Sequence, residues 1–211
     1  SVPEIDPDEM SIGELIAGGG FATVHNARWR RRKVAVKMLF DPKISARMIA
    51  DFKREVSAMA RAGGHPNIVQ IVAACTSRPK LCLVMERCQT TVFHLLHLSD
   101  VSPTDAQLAS FAVDLAAAVE HLHSLDPPMC HREIKTLNLL LDRALAPGQG
   151  VVPGTRIKLC DFGLAGFFGR RHAGRRGTVT YMAPEIFASK EFTFDPGVDM
   201  WALGVILFVL L

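Results

Sequence analysis

The sequence predicts an α+β fold in two lobes, the first β-rich with one helix and the second mainly helical. Three observations carry this. The first 40 residues hold three β-rich runs broken by glycines and a basic turn. One amphipathic helical period follows, and after Cys88 the pattern becomes helical for long stretches.

Taken in order, "SIGELIAGG", "FATVHNARW" and "KVAVKMLF" read as strands, with a glycine-rich hairpin between the first two and the turn "RRRK" before the third. From Asp41 to Ala62, Ile44, Met48, Phe52 and Met59 recur at multiples of three or four. That spacing marks one helical face, closed by Gly63, Gly64 and Pro66. Glu55 falls on the same face, so its carboxylate points inward and needs a cationic partner. "IVQIVAAC" and "LCLVMERC" read as adjacent strands.

"SPTDAQLASFAVDLAAAVEHLHSL" reads as a long helix with Ser102 as N-cap and Pro103 in its first turn. "NLLLD" and "RIKLCDF" are short strands around a Pro/Gly-rich stretch, residues 143–155, expected to be a surface insertion. "MWALGVILFVLL", residues 200–211, is well short of the roughly 20 residues a membrane helix needs and reads as a core helix. The expected division is residues 1–84 for the first lobe and 85–211 for a crossover and the second.

Hydrophobic residues make up 49% of the 211 and charged residues 21%, a globular composition that excludes a disordered chain. A net charge of +3 is too small to indicate nucleic acid by itself. Five cysteines, Cys75, Cys82, Cys88, Cys130 and Cys160, form no CxxC pair, so neither a disulfide framework nor a zinc site is indicated. A reducing, cytoplasmic setting fits. The acidic, proline-containing start is not a signal peptide, and no membrane partner is expected.

Six motifs then occur in register: "AGGGFATV" (17–24), "VAVK" (34–37), Glu55, "HREIKTLN" (131–138), "DFG" (161–163) and "APE" (183–185). Together they resemble the signature set of eukaryotic protein kinases. "KTLN" and "GTVTYMAPE" are most similar to serine/threonine enzymes of the tyrosine-kinase-like group, Raf-like and mixed-lineage-like kinases. The resemblance implies a bilobal kinase-like fold, with an incomplete second lobe because the chain stops at Leu211, and transfer of the γ-phosphate of Mg-ATP to a Ser/Thr hydroxyl of a protein substrate.

By this resemblance Lys37 holds the nucleotide phosphates and Glu55 orients it, while Asn138 and Asp161 bind magnesium. Ile16, Gly18, Gly19, Gly20, Val24, Ala35, Lys37, Met85, Glu86, Cys88 and Leu140 surround the ATP, with Met85 as gatekeeper. Lys135 sits near the γ-phosphate, and Glu133 takes the place of the catalytic base. Lys37 also stands alone on physical grounds: it ends an apolar strand, and an inward Glu55 is the anion it needs. His131 and Asp199 look like scaffold residues of the catalytic loop.

The chain departs from the family at three places. Read back from Val24, the family glycines fall at Ala17, Gly19 and Ala22; an alanine at positive φ would cost about 1 kcal/mol there, weakening ATP affinity. Glu133 replaces the usual Asp, and its extra methylene shifts the oxygens by about 1 Å, a misplacement worth roughly 10²-fold. "LAGFFGRRHAGRRG" (164–177) contains four arginines and no Ser, Thr or Tyr, so phosphorylation is not expected within it, and it reads either as a basic loop that draws an acidic partner or substrate or as a solvated loop. The alternative reading is therefore a pseudokinase acting as a nucleotide-binding or docking module. Nucleic-acid binding has no motif behind it.

Overall fold

Alternating Val, Ile and Thr runs in the first third of the chain form the expected strands. The computed structural model describes residues 2–19, 22–39, 44–146, 148, 150–169, 171–173, 177–188, 191–193 and 195–210. It divides into two units, Ser1–Gly63 with Val69–Cys88, and Gly64–Ile68 with Gln89–Leu211.

In the first unit β1 (Ser11–Gly18), β2 (Ala22–Trp29) and β3 (Arg32–Leu39) are followed by α1 (Ala46–Ala62), β4 (Ile71–Cys75) and β5 (Cys82–Glu86). The antiparallel sheet has the order β1-β2-β3-β5-β4. Its buried face gathers Ala27, Trp29, Val34, Val36, Ala73 and Val84, capped by Ile5 and Met10 from the preceding segment. Every residue of β1 is exposed. That strand is therefore held by its ladder to β2 rather than by burial.

Helix α1 begins at Ala46, later than the periodicity suggests, because Ser45 Oγ accepts the Met48 N–H at 3.2 Å and fixes the first turn. Asp41 lies outside the described residues. The buried face of α1 is Phe52, Glu55, Val56, Met59 and Ala62, the predicted face with one carboxylate in it.

The second unit contains β6 (Thr90–Thr91), α2 (Val92–His97), α3 (Asp105–His123), β7 (Met129–Cys130), β8 (Leu139–Leu141) and β9 (Ile157–Leu159). After them come β10 (Gly166–Phe167), β11 (Arg171–Ala173), α4 (Pro184–Ala188), β12 (Glu191–Thr193) and α5 (Gly197–Leu210). Small sheets pair β6-β8-β9, β7-β10 and β11-β12. Residues 64–68 join this unit because Asn67 binds β9 on both sides: its Nδ2 donates to Ile157 O at 2.9 Å, and its carbonyl accepts the Leu159 N–H at 2.8 Å.

The N-cap of α3 is Thr104, not Ser102. Thr104 Oγ1 accepts the Gln107 N–H at 3.3 Å and Gln107 Oε1 accepts the Thr104 N–H at 2.9 Å. This reciprocal box satisfies two orphan donors, which a Ser102 start cannot do. Gln107 Nε2 also donates to Val151 O at 2.7 Å. Residues 143–155 are thus partly anchored rather than a plain surface insertion, with Val151 and Thr155 buried.

Helix α5 buries Val198, Asp199, Ala202, Leu203, Ile206 and Leu210, while Met200, Trp201 and Phe208 are exposed. It is a core helix on one face only. Among the described residues, no helix is long and apolar enough to cross a membrane.

Candidate functional site

Within the first unit, Lys37 sits on β3 between Val24 of β2 and Leu83 of β5. The preceding Val36 is fully buried, so the ammonium is presented from an apolar strand. Lys37 Nζ donates to Glu55 Oε1 at 2.6 Å, and Glu55 is 7% exposed. The inward carboxylate of α1 has found the cation that its burial requires.

The glycine-rich turn joins β1 to β2, with the Gly19 N–H donating to Ala22 O at 2.9 Å. A Cβ at Gly18 would meet nothing within 4 Å, and at Gly19 only Ala22 O at 3.7 Å. The space beside these two glycines is therefore open to the close approach of a ligand. The strain expected at Ala17 and Ala22 is absent: they pair with Val24 and Leu39, Ala17 just after a register shift in β1, and neither has positive φ. Gly20 lies outside the described residues.

Ile16 is exposed on β1, Val24 half-buried on β2, and Ala35 lies beside half-buried Met85 of β5. The side chain of Glu86 is committed locally, its Oε1 accepting the Gln70 N–H at 2.8 Å. Cys88 is buried.

In the second unit the catalytic-loop motif is built on Asp199. This fully buried carboxylate accepts the His131 N–H at Oδ2 and the Arg132 N–H at Oδ1, both at 2.8 Å, and the ring of His123 lies 3.0 Å from Oδ2. Arg132 adopts φ 69°, a left-handed conformation that costs a non-glycine residue about 1 kcal/mol or more. Two charge-assisted hydrogen bonds, to its own N–H and to that of the preceding His131, hold it in place.

His131 is fully buried, its Nδ1 accepting the Glu133 N–H at 3.3 Å and its Nε2 lying 3.1 Å from Cys160 O. Nε2 is therefore the protonated nitrogen. Burial pushes its pKa below the usual value, outweighing the pull of Asp199, so the ring is a neutral strut and not an acid or base. Phe162 packs edge-on against it, with centroids 4.8 Å apart.

From this turn the functional groups project. Lys135 Nζ donates to Glu133 Oε1 at 2.6 Å and to Thr178 Oγ1 at 3.1 Å. Asn138 Nδ2 donates to Glu133 O at 2.8 Å, which commits its nitrogen and leaves Oδ1 as the atom for a hard cation. Asp161 has φ 67°, and its Oδ1 makes a long 3.4 Å contact with the Gly163 N–H, a weak Asx-turn. Leu140, half-buried on β8, pairs with Thr91 and Lys158.

Sequence reasoning missed His123 as a partner of Asp199, and the Thr136 and Tyr181 hydroxyls, 3.1 Å apart, that tie the loop to residues 179–181. Among the described residues His123 Nε2, Cys130 Sγ and Asp199 lie within 4.8 Å of one another. Each is already engaged, Cys130 Sγ donating to Asp195 O at 3.2 Å, so the cluster acts as scaffold. All five cysteines are free thiols, and burial pushes Cys82 up to about 11 and Cys130 further still. Of the arginine-rich stretch, Arg170, Arg175 and Arg176 and the side chains of Arg171 and His172 lie outside the described residues, and the acidic-partner expectation falls there.

A family model described as the protein kinase domain matches residues 10–211. Serine/threonine-protein kinase CTR1 of Arabidopsis thaliana is 34% identical over 210 residues, covering 96% of this chain and 24% of that protein. Dual specificity protein kinase shkC of Dictyostelium discoideum is 33% identical over 215 residues, covering 99% and 40%. Mitogen-activated protein kinase kinase kinase 10 of Mus musculus is 34% identical over 211 residues, covering 99% and 22%. The chain spans less than half the length of these relatives. The order of its motifs, the family match and these relatives agree: the chain belongs to the protein kinase family, in its tyrosine-kinase-like group.

Proposed function

We propose that this chain is a protein serine/threonine kinase domain that transfers the γ-phosphate of Mg-ATP to a protein hydroxyl, slowly, with Glu133 as a displaced base. The observation that carries the reading is Lys135 Nζ joining Glu133 and Thr178 in one network. A carboxylate, a cation and a hydroxyl are thereby held together beside the residue position that accepts the substrate proton in this family.

Bound Mg-ATP supplies the phosphoryl group. Lys37, fixed by Glu55, would offer its ammonium to the phosphates, and the side-chain-free backbone at Gly18 and Gly19 would let them approach closely. Asn138 Oδ1 and the Asp161 carboxylate would hold magnesium, two oxygen donors suited to a hard cation. Ile16, Val24, Ala35, Met85, Glu86, Cys88 and Leu140 would contact the nucleotide. Glu133 takes the proton of the acceptor hydroxyl, and Lys135 offsets negative charge developing there. A reducing, cytoplasmic setting suits five free thiols. The division of labour follows the two units, the first as the β-rich lobe and the second as the helical lobe.

The second reading, a docking pseudokinase, is favoured by the same Lys135 contact, since a carboxylate oxygen already engaged by an ammonium is less available to an acceptor hydroxyl. Transfer of phosphate from Mg-ATP to a Ser/Thr-containing acceptor protein separates the two. The enzyme reading predicts transfer by the native chain and its loss in Lys37→Met; equal signals from both, or none from a folded native chain, reject it.

A further inference from the structure

Five cations, Arg28, Arg30, Arg31, Arg32 and Lys33, surround the tip of the β2–β3 hairpin. The strands are joined by two residues only, Arg30 at φ 45° and Arg31 at φ 66°, with Trp29 and Arg32 closing the ladder. A two-residue loop with both residues left-handed is the turn that Asn-Gly and Asp-Gly occupy with least strain. Arginine carries a Cβ that opposes this conformation. Arg28 and Lys33 also face each other across the ladder, where like charges repel. Stability is thus given up at two backbone positions and one cross-strand pair, and concentrated positive charge is what the tip has in return.

All five cations are exposed, whereas Trp29 is 7% exposed and its Nε1 donates to Glu9 Oε2 at 3.3 Å. The Arg30 guanidinium lies 4.6 Å from the centroid of the Trp29 ring, which orients it. We infer that this hairpin tip docks on the anionic headgroups of a membrane surface. The tip of a two-residue hairpin is convex and meets a partner end-on, which suits a flat charged surface better than an extended acidic peptide that needs a groove. Guanidinium forks match phosphate and carboxylate oxygens in pairs. With the indole buried, the contact is electrostatic adsorption without insertion, and salt weakens it. The contact is peripheral, needing no membrane-spanning helix, of which the described residues hold none, and it is independent of the proposed catalysis.

The test is sedimentation of the protein with phosphatidylcholine vesicles, with and without phosphatidylserine, comparing the native chain with the double variant Arg30→Asn/Arg31→Gly. The native chain is expected to bind only the serine-containing vesicles and to release at high salt. The variant should bind about tenfold more weakly or worse, while its thermal unfolding midpoint stays level or rises because the turn strain is relieved. That opposition of binding and stability is the signature. No binding of the native chain, undiminished binding of the variant, or tighter binding to polyglutamate or duplex DNA than to the vesicles overturns the assignment.

Discussion

Asp199 Oδ1 accepts the backbone N–H of Arg132 at 2.8 Å, from a carboxylate with no exposed surface. Its other oxygen holds the neighbouring His131 N–H, so one acid on α5 secures two successive N–H groups leading into a left-handed residue sixty-odd positions earlier. An amide in its place would turn one acceptor into a donor facing a donor. Asp199→Asn is therefore expected to lower unfolding stability by about 3–5 kcal/mol, the cost of breaking a buried charge-assisted network. Urea unfolding reads it as a lower midpoint with an unchanged slope.

Stability should also depend on pH through histidine. Burial lowers the pKa of His131, and also of His65, below the usual 6.5. The unfolded chain then takes up protons at these positions at a higher pH than the folded one. Their contribution is complete above about pH 7.5 and declines as pH falls through about 6.5, levelling once the folded groups protonate too. Urea midpoints measured from about pH 8 down to about pH 5.5 should fall, and His65→Gln should flatten part of that slope. A midpoint that rises on acidification would contradict the assignment.

Lys135 links Glu133 to Thr178, and in the proposed mechanism its charge acts where the acceptor hydroxyl loses its proton. Lys135→Ala is expected to lower kcat by about 10²-fold, with the KM for ATP little changed. Steady-state kinetics in both substrates checks the split. Thr178→Val, which keeps the lysine and removes only one acceptor, should cost less.

Much of this was legible in the chain because periodicity and spacing are local properties. Glu55 on the apolar face of a helix announced a buried cation partner, and Lys37 meets it at 2.6 Å. The N-cap of α3 was displaced by two residues because Gln107, which completes the box with Thr104, carried more weight than Pro103. Ala17 was expected to be strained because the family places glycine there, yet it pairs with Val24 beside a register shift without taking a positive φ. The contacts of Asp199 with His123, His131 and Arg132 join residues more than 60 positions apart, and no local pattern encodes such pairings.

The claim that Glu133 is a working base held away from its best position is tested most directly by γ-phosphate transfer rates for the native chain, Glu133→Asp and Glu133→Gln. The account predicts slow native transfer, a rise of about 10- to 100-fold in Glu133→Asp as the oxygens return by one methylene, and a fall in Glu133→Gln, which keeps the shape and removes the base. Native and Glu133→Gln proteins that transfer phosphate at the same rate would show that the carboxylate does no chemistry.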